Sequence, residues 1–356
     1  MLQPERYFDH AATTPVDPRV REAMLPYFGE NFGNASSLHQ LGRQAAAAID
    51  KAAEQLASLL QVDPQQLYFT SGATESNNWV LNAADEIIIS PFEHSAMREP
   101  AIRKDCQFLD NQGPDLHPAT TSTSTLLSVM SDNNETGMRW DVRELTSSAP
   151  KLHSDATQSV GKLPLALEEL DYASLSAHKF YGPKGVGALY CRDFPPEPLI
   201  LGGEQQDNAR GGTLNVPGIV GMGMAAEIAN ERMEQDFAHV SNLKQILKQE
   251  TSNIPDLLWN ENPAESQSPY ICSLSLLDLE GETLVIELDR AGFAVSSGAA
   301  CSAGSTEPSH VLTALGLEPE WLRGTIRVSF GRANTKEATR HLGEEITKIA
   351  QKLRKI

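Results

Sequence analysis

Lys179 stands in "SLSAHKFYGPKGVGAL" (174–189), between a histidine and an aromatic pair and just ahead of a turn rich in glycine and proline. Its amine is either an ordinary solvated cation or a nucleophile. A lysine held near another cation or in a dry pocket loses basicity and can form a Schiff base with a carbonyl. Cys301 is a second candidate nucleophile, in "AVSSGAACSAGSTEPSHVL" (294–312). Ser, Gly and Ala on both sides of it are poor core material, so the stretch reads as a surface loop. An accessible thiol in surroundings that favour the thiolate attacks readily; a small residue in a tight turn is the alternative. Cys106, Cys191 and Cys272 lie in or beside apolar runs and read as packing residues.

Other stretches carry residues suited to phosphate, ring and carboxylate. "FTSGATESNN" (69–78) runs from a strand through Gly72 into a helix start, where backbone N–H groups and the Ser71 and Thr74 hydroxyls suit a phosphate or form a plain cap. "KLHSDATQSVGK" (151–162) ends a strand with Asp155 and places Gln158 three residues on. A buried aspartate there needs a protonated heterocycle, an arginine or backbone amides. Its "GK" is no P-loop, because Ala156 occupies a required glycine position, and "GPKGVG" does not match G-x-G-x-x-G. Arg327 in "TIRVSFGR" alternates with apolar residues, so it faces inward toward either a structural ion pair or a substrate carboxylate.

These residues must be positioned by regular elements. Residues 42–60 carry helical spacing; 67–71, 86–90, 126–131 and 173–177 read as short strands, with helical stretches such as "DVRELTSSA" between some of them. Strands alternating with helices predict an α/β fold with a mostly parallel sheet covered on both faces. Ser176 and Lys179 then lie at or beyond a strand's C-terminal end, the edge where ligands bind. A long helical pattern covers 218–252. Strands at 271–277 and 325–330, the helical "ETLVIELDRAG" and a helix from about Lys336 then suggest a smaller α+β domain. Residues 110–125 and 259–269 read as polar loops.

The 356 residues hold 29 Lys+Arg against 47 Asp+Glu, a formal charge of −18. That charge repels phosphate backbones and argues against direct nucleic-acid binding. No apolar run approaches a membrane span, and the N-terminus lacks the basic-then-apolar pattern of a signal peptide. Four widely separated cysteines with no C-x-x-C pair argue against a zinc site or disulfide framework and fit a reducing cytosol, so a cytoplasmic protein without a metal is expected.

The chain resembles the cysteine desulfurases of the NifS/IscS type, in the class V aminotransferase group of fold-type I pyridoxal-phosphate enzymes. The resemblance runs from "FDHAATTPVDPRV" to "IRVSFGR" and takes in "FGNASSLHQLGR", "FTSGATESNN", "FEHSAM", "DNNETG", "HSDATQSVGKLP", "SAHKFYGPKGVGALY", "RGGTLNVPGIVGMG" and "SSGAACSAGSTEPSHVLTALG". It implies a large domain over 14–250 with a mostly parallel seven-stranded sheet. Residues 1–13 and 251–356 would form a small domain carrying the cysteine loop.

The resemblance also implies roles. Lys179 would hold pyridoxal 5'-phosphate covalently and shuttle the proton at Cα, and His94 would stack on the ring. Asp155 would pair with the ring nitrogen and Gln158 would donate to the phenolate oxygen. Ala73, Thr74, Ser176 and His178 would hold the phosphate, with Thr213 arriving from the second subunit of a homodimer. Asn134 would contact cofactor and substrate, while Arg327 and Asn34 would bind the carboxylate of L-cysteine. Cys301 would take the sulfur as a persulfide, leaving alanine, and pass it to a scaffold or carrier protein. Selenocysteine cleavage, another outcome on the same cofactor, or a sulfur-relay protein with weak catalysis are the alternatives. Departures from the pattern are Ala35, where the family often has proline, a shorter segment between Asn77 and His94, and a tail ending at "KLRKI". In relatives a longer tail helps bind the iron–sulfur scaffold, so the sequence leaves the acceptor open.

Overall fold

The computed structural model describes residues 3–109, 125–145, 151–261, 266–298 and 308–354. Its strands are β1 (Leu67–Thr70), β2 (Glu86–Ile89), β3 (Gln107–Phe108), β4 (Thr125–Ser128), β5 (Met138–Arg139), β6 (Lys151–Asp155), β7 (Tyr172–Ser176), β8 (Gly187–Cys191), β9 (Leu257–Trp259), β10 (Ser266–Gln267), β11 (Ile271–Leu276), β12 (Ser296–Ser297) and β13 (Thr325–Ser329). The helices are α1 (Pro18–Met24), α2 (Gln40–Leu60), α3 (Ala73–Asn82), α4 (Ser95–Arg103), α5 (Val216–Thr251), α6 (Gly281–Arg290), α7 (His310–Ala314), α8 (Pro319–Arg323) and α9 (Lys336–Leu353).

The chain divides into two compact units. The larger comprises Thr14–Ser131 and Asp141–Met233; the smaller joins the N-terminal stretch through Thr13, Asp132–Trp140 and the chain from Glu234 onward. The larger unit is built on a seven-stranded sheet of order β1-β8-β7-β6-β4-β2-β3. Neighbours from β7 to β3 run parallel, and β8 is antiparallel to both β1 and β7. This is the α/β class that the alternation of strands and helices predicts. β2 is a near-continuous apolar run, and its consecutive Ile87, Ile88 and Ile89 are all buried, so both faces of the sheet are covered there. Trp79 and Leu81 of α3 and Met97 of α4 pack with Ile87, Ile89, Leu126 and Leu189 in one buried cluster. The alternation does not reveal β8, whose glycine-led start reads as part of the preceding turn.

α2 needs little beyond its own sequence. Its alanines favour helix, and Ala45, Ala52, Leu56, Leu59 and Leu60 fall on its buried face. The His39 ring caps its start by accepting from Gly42 N at 3.2 Å. α5 begins at Val216, two residues ahead of the predicted start. Pro217 sits in its first turn, where a missing N–H interrupts no hydrogen bond. The helix expected in "DVRELTSSA" is a short 3-10 turn over Val142–Leu145; residues 146–150 lie outside the described residues.

The smaller unit has a four-stranded antiparallel sheet, β12-β13-β11-β9, against which α6 and then α9 pack. Thr335 caps α9, whose Leu342, Ile346, Ile349 and Ala350 form its buried stripe. Part of 259–269, expected to be loop, is strand. Trp259 ends β9, and Ser266–Gln267 pairs with β5; residues 262–265 lie outside the described ones. No helix among the described residues is long and apolar enough to cross a membrane.

Candidate active site

In the larger unit the C-terminal ends of β1, β7 and β6 share one edge of the sheet. Thr70 pairs with Gly187, Gly187 with Ser176, and Asp155 with Ser174. The segments that leave this edge carry most of the sequence-predicted site residues.

Beyond β1 the chain turns through Gly72, at φ +153°, into α3. No side chain caps this helix. Glu75 N and Ser76 N donate to the Gly72 carbonyl, which leaves the first-turn N–H groups of Ala73 and Thr74 without an intrahelical acceptor. A Cβ on Gly187 would lie 2.4 Å from the Leu175 carbonyl oxygen and 2.6 Å from Gly72 Cα, and one on Gly72 would lie 3.7 Å from Ser176 Oγ. Glycine at these two positions brings helix start and Ser176 together as a shallow cradle. Ala73 is buried and Thr74 exposed.

Beyond β7, Ala177–Lys179 forms a single 3-10 turn with Lys179 half-buried. Thr14 braces it: its N and Oγ1 donate to the His178 carbonyl at 2.9 and 3.0 Å, and its Oγ1 accepts from Tyr181 N at 2.7 Å. Tyr181 holds a left-handed φ of +68°, a strained geometry for a tyrosine. Burial, then the charges of Lys179, Lys184 and Lys162, pushes the His178 imidazole down to about 4. At neutral pH this histidine is an uncharged hydrogen-bonding group within a cluster of cations.

Beyond β6, Asp155 is buried, its Oδ2 accepting from Asn77 Nδ2 at 2.8 Å and its Oδ1 from Thr157 N at 3.0 Å. Its partners here are amides. Burial pushes the neighbouring His153 down to about 4, against the pull of Asp155, and burial with the Asp155 charge raises the Glu93 carboxyl well above its usual value. Gln158 is buried, with its Oε1 accepting from Lys162 Nζ at 3.1 Å. His94, beyond β2, caps α4 by accepting from Ala96 N through Nδ1 at 3.0 Å, so the neutral ring carries its proton on Nε2. Thr213 and Asn34 are exposed; Asn34 Oδ1 accepts from Ser36 N at 3.0 Å.

In the smaller unit Arg327 is 2% exposed, and its nearest anion is Asp9, Nη2 to Oδ1 at 2.9 Å. Nη1 donates to the Asn134 carbonyl at 2.8 Å. Of the two partners the sequence left open, the structural ion pair is therefore present. Arg327 Nε and Asn134 Oδ1 are buried without a hydrogen-bond partner among the described residues. Glu135 Oε2 accepts from Ser309 Oγ at 2.5 Å, and burial pushes this carboxyl up to about 7 against the Ser309 hydroxyl and the Arg327 charge. Cys301 lies outside the described residues. Cys191 and Cys272 are buried with their thiols pushed up by burial, which suits packing; Cys106 is half-buried.

The aminotransferase class-V family model matches residues 6–342. This chain belongs to the class-V aminotransferase family. Among curated relatives of this family member, the cysteine desulfurase IscS of Dictyoglomus turgidum is 38% identical, with 100% of this chain and 97% of the relative covered. A solved NifS-like protein superposes with a TM-score of 0.88 at 35% identity over 98% of this chain and 99% of its own. A structure described as SspA in complex with cysteine gives 0.77 at 29% identity, covering 93% of this chain and 100% of that one.

The structure adds residues to which the sequence reading gave no role. Thr14, Asn77 and Glu93 fall inside quoted motifs, but only their contacts reveal what they brace. Glu75 pairs with Arg210, Nε to Oε1 at 2.8 Å and Nη2 to Oε2 at 3.1 Å, across 135 positions of chain. No local spacing signals that pairing.

Proposed function

We propose that this enzyme is a pyridoxal-phosphate-dependent cysteine desulfurase, converting L-cysteine to L-alanine and leaving the sulfur as a persulfide on Cys301. The observation that carries the reading is the half-buried Lys179 turn on the same sheet edge as Asp155 and the Gly72–Ser176 cradle. Relatives over the full chain length are named cysteine desulfurases.

The residues at this edge fit the cofactor. The uncapped α3 start, held against Ser176 by two glycines, suits a phosphate. Asp155, bonded to amides and beside a neutral His153, offers its charge to a protonated ring nitrogen. Bound there, pyridoxal phosphate supplies an electron sink that acidifies the substrate Cα–H and weakens the Cβ–S bond. Ala73, Thr74, Ser176 and the neutral His178 hold the phosphate, with Thr213 of a second copy completing it in a homodimer. Gln158 donates to the phenolate oxygen, and His94 stacks on the ring. The Lys179 amine carries the proton to and from Cα.

Asn134, Asn34 and Arg327 bind substrate, with Arg327 kept in place by Asp9 and the Asn134 carbonyl. Cys301 attacks as a thiolate. The substrate C–S bond breaks, one S–S bond forms on Cys301, and a proton replaces sulfur on Cβ, so L-cysteine and thiolate become alanine and persulfide without any outside oxidant. A sulfur-acceptor scaffold or carrier protein takes the persulfide. The purified protein should be yellow and release alanine from L-cysteine in the presence of a thiol. Cys301→Ala should keep the colour and lose sulfur transfer, and normal persulfide formation in that variant would overturn the assignment.

A further inference from the structure

A phosphate dianion at the start of α3 meets an obstacle in the helix itself. Glu75 lies in its first turn, and the Ser71 N–H at the rim of the cradle is already given to Glu75 Oε2 at 2.8 Å. A bare carboxylate so close to the site would oppose an anion. Arg210 answers it with two hydrogen bonds to that carboxylate, both side chains being largely buried, at 18% and 10% exposure. The remaining Arg210 contact goes to the Gly211 carbonyl, so its donors are turned to Glu75 and the adjoining backbone.

The segment holding Arg210 is firmly anchored. The Gln206 side-chain amide accepts from Phe69 N at 2.6 Å and donates to Phe69 O at 2.9 Å, adding a strand-like partner to β1 just before the cradle. Gln206, Asp207 and Asn208 are consecutive left-handed residues, at φ 51°, 57° and 66°. Three such residues in a row are costly outside glycine, and they deliver Arg210 to Glu75. Gln205 Oε1 then accepts from Gly212 N at 2.8 Å, next to Thr213.

We infer that Arg210 is a positioning residue that sets the phosphate affinity of the cradle by neutralising Glu75 within it. Burial raises the Glu75 carboxyl, but Arg210 and the Ser71 contacts outweigh it and hold the group below its usual range, so the pair is ionic at neutral pH. The inference rests on the cofactor reading above.

The test compares pyridoxal phosphate with pyridoxal, which lacks the phosphate. Both are titrated by visible absorbance into the full chain stripped of cofactor. In Arg210→Gln, pyridoxal phosphate should bind about tenfold more weakly, the scale of a charge at a helix terminus, while pyridoxal binds as in the wild type. Adding Glu75→Gln to that variant should restore the phosphate preference, which also guards against a folding defect in the single variant. Unchanged pyridoxal phosphate binding in Arg210→Gln, equal weakening of both ligands, or no restoration in the double variant would each overturn the inference. A wild-type protein that binds neither ligand would instead overturn the cofactor reading.

Discussion

His153 should make the protein acid-sensitive. Its imidazole is fully buried in the sheet, with Nδ1 and Nε2 within 2.8 and 3.0 Å of the Ser128 and Ser174 hydroxyls on the flanking strands. Burial pushes it down to about 4 from 6.5, with Asp155 pulling the other way. Between those values the unfolded chain binds a proton that the folded chain refuses, so stability rises with pH across this window. Working the two values through, acidification from pH 7 to pH 5 costs about 2 kcal/mol at this residue alone. Glu135, raised to about 7, acts in the opposite direction, so the bulk pH curve does not isolate His153. A variant does: His153→Leu with Ser128→Ala and Ser174→Ala removes the ring and both of its partners, leaving neither hydroxyl orphaned. In urea unfolding at pH 7 and pH 5, the wild type should lose about 2 kcal/mol more than this variant. Equal losses would refute the claim that the ring is held neutral. That neutrality matters for function, because a charged His153 would compete for Asp155.

Glu135→Gln should stabilise the protein by about 3 kcal/mol near pH 8 and by less than about 1 kcal/mol near pH 5, read by urea unfolding. The sign follows because a carboxyl raised to about 7 in the folded state contributes stability that is lost as pH rises through that value. Gly187→Ala should destabilise the larger unit by about 1–3 kcal/mol and weaken pyridoxal phosphate binding, because its Cβ meets backbone at 2.4 and 2.6 Å with nothing flexible to move.

The sheet's parallel part was legible because β2 and β4 lie in short apolar runs and β7 in the small-residue run "ASLSA", and the site residues follow where strands end. Asp155 and Lys179 could be placed at that edge from local pattern alone. β8 escaped notice because strand periodicity cannot distinguish a glycine-led strand from the turn before it. The partners that tune the site were also hidden. Thr14 reaches His178 across 164 positions and Arg210 reaches Glu75 across 135, separations at which no spacing rule operates. Arg327 shows the same limit. Its inward face followed from alternation on β13, whereas the choice of Asp9 as its anion depended on a distant segment of chain.

The proposed chemistry converges on one sulfur atom. Mass spectrometry of the protein after brief exposure to L-cysteine, with thiols alkylated and the chain digested, tests it directly. The account predicts the mass of one added sulfur on the Cys301 peptide, together with an equivalent of alanine, and no such addition on the peptides of Cys106, Cys191 or Cys272. Alanine formed with the added sulfur on another cysteine, or no alanine from a protein loaded with pyridoxal phosphate, would contradict it.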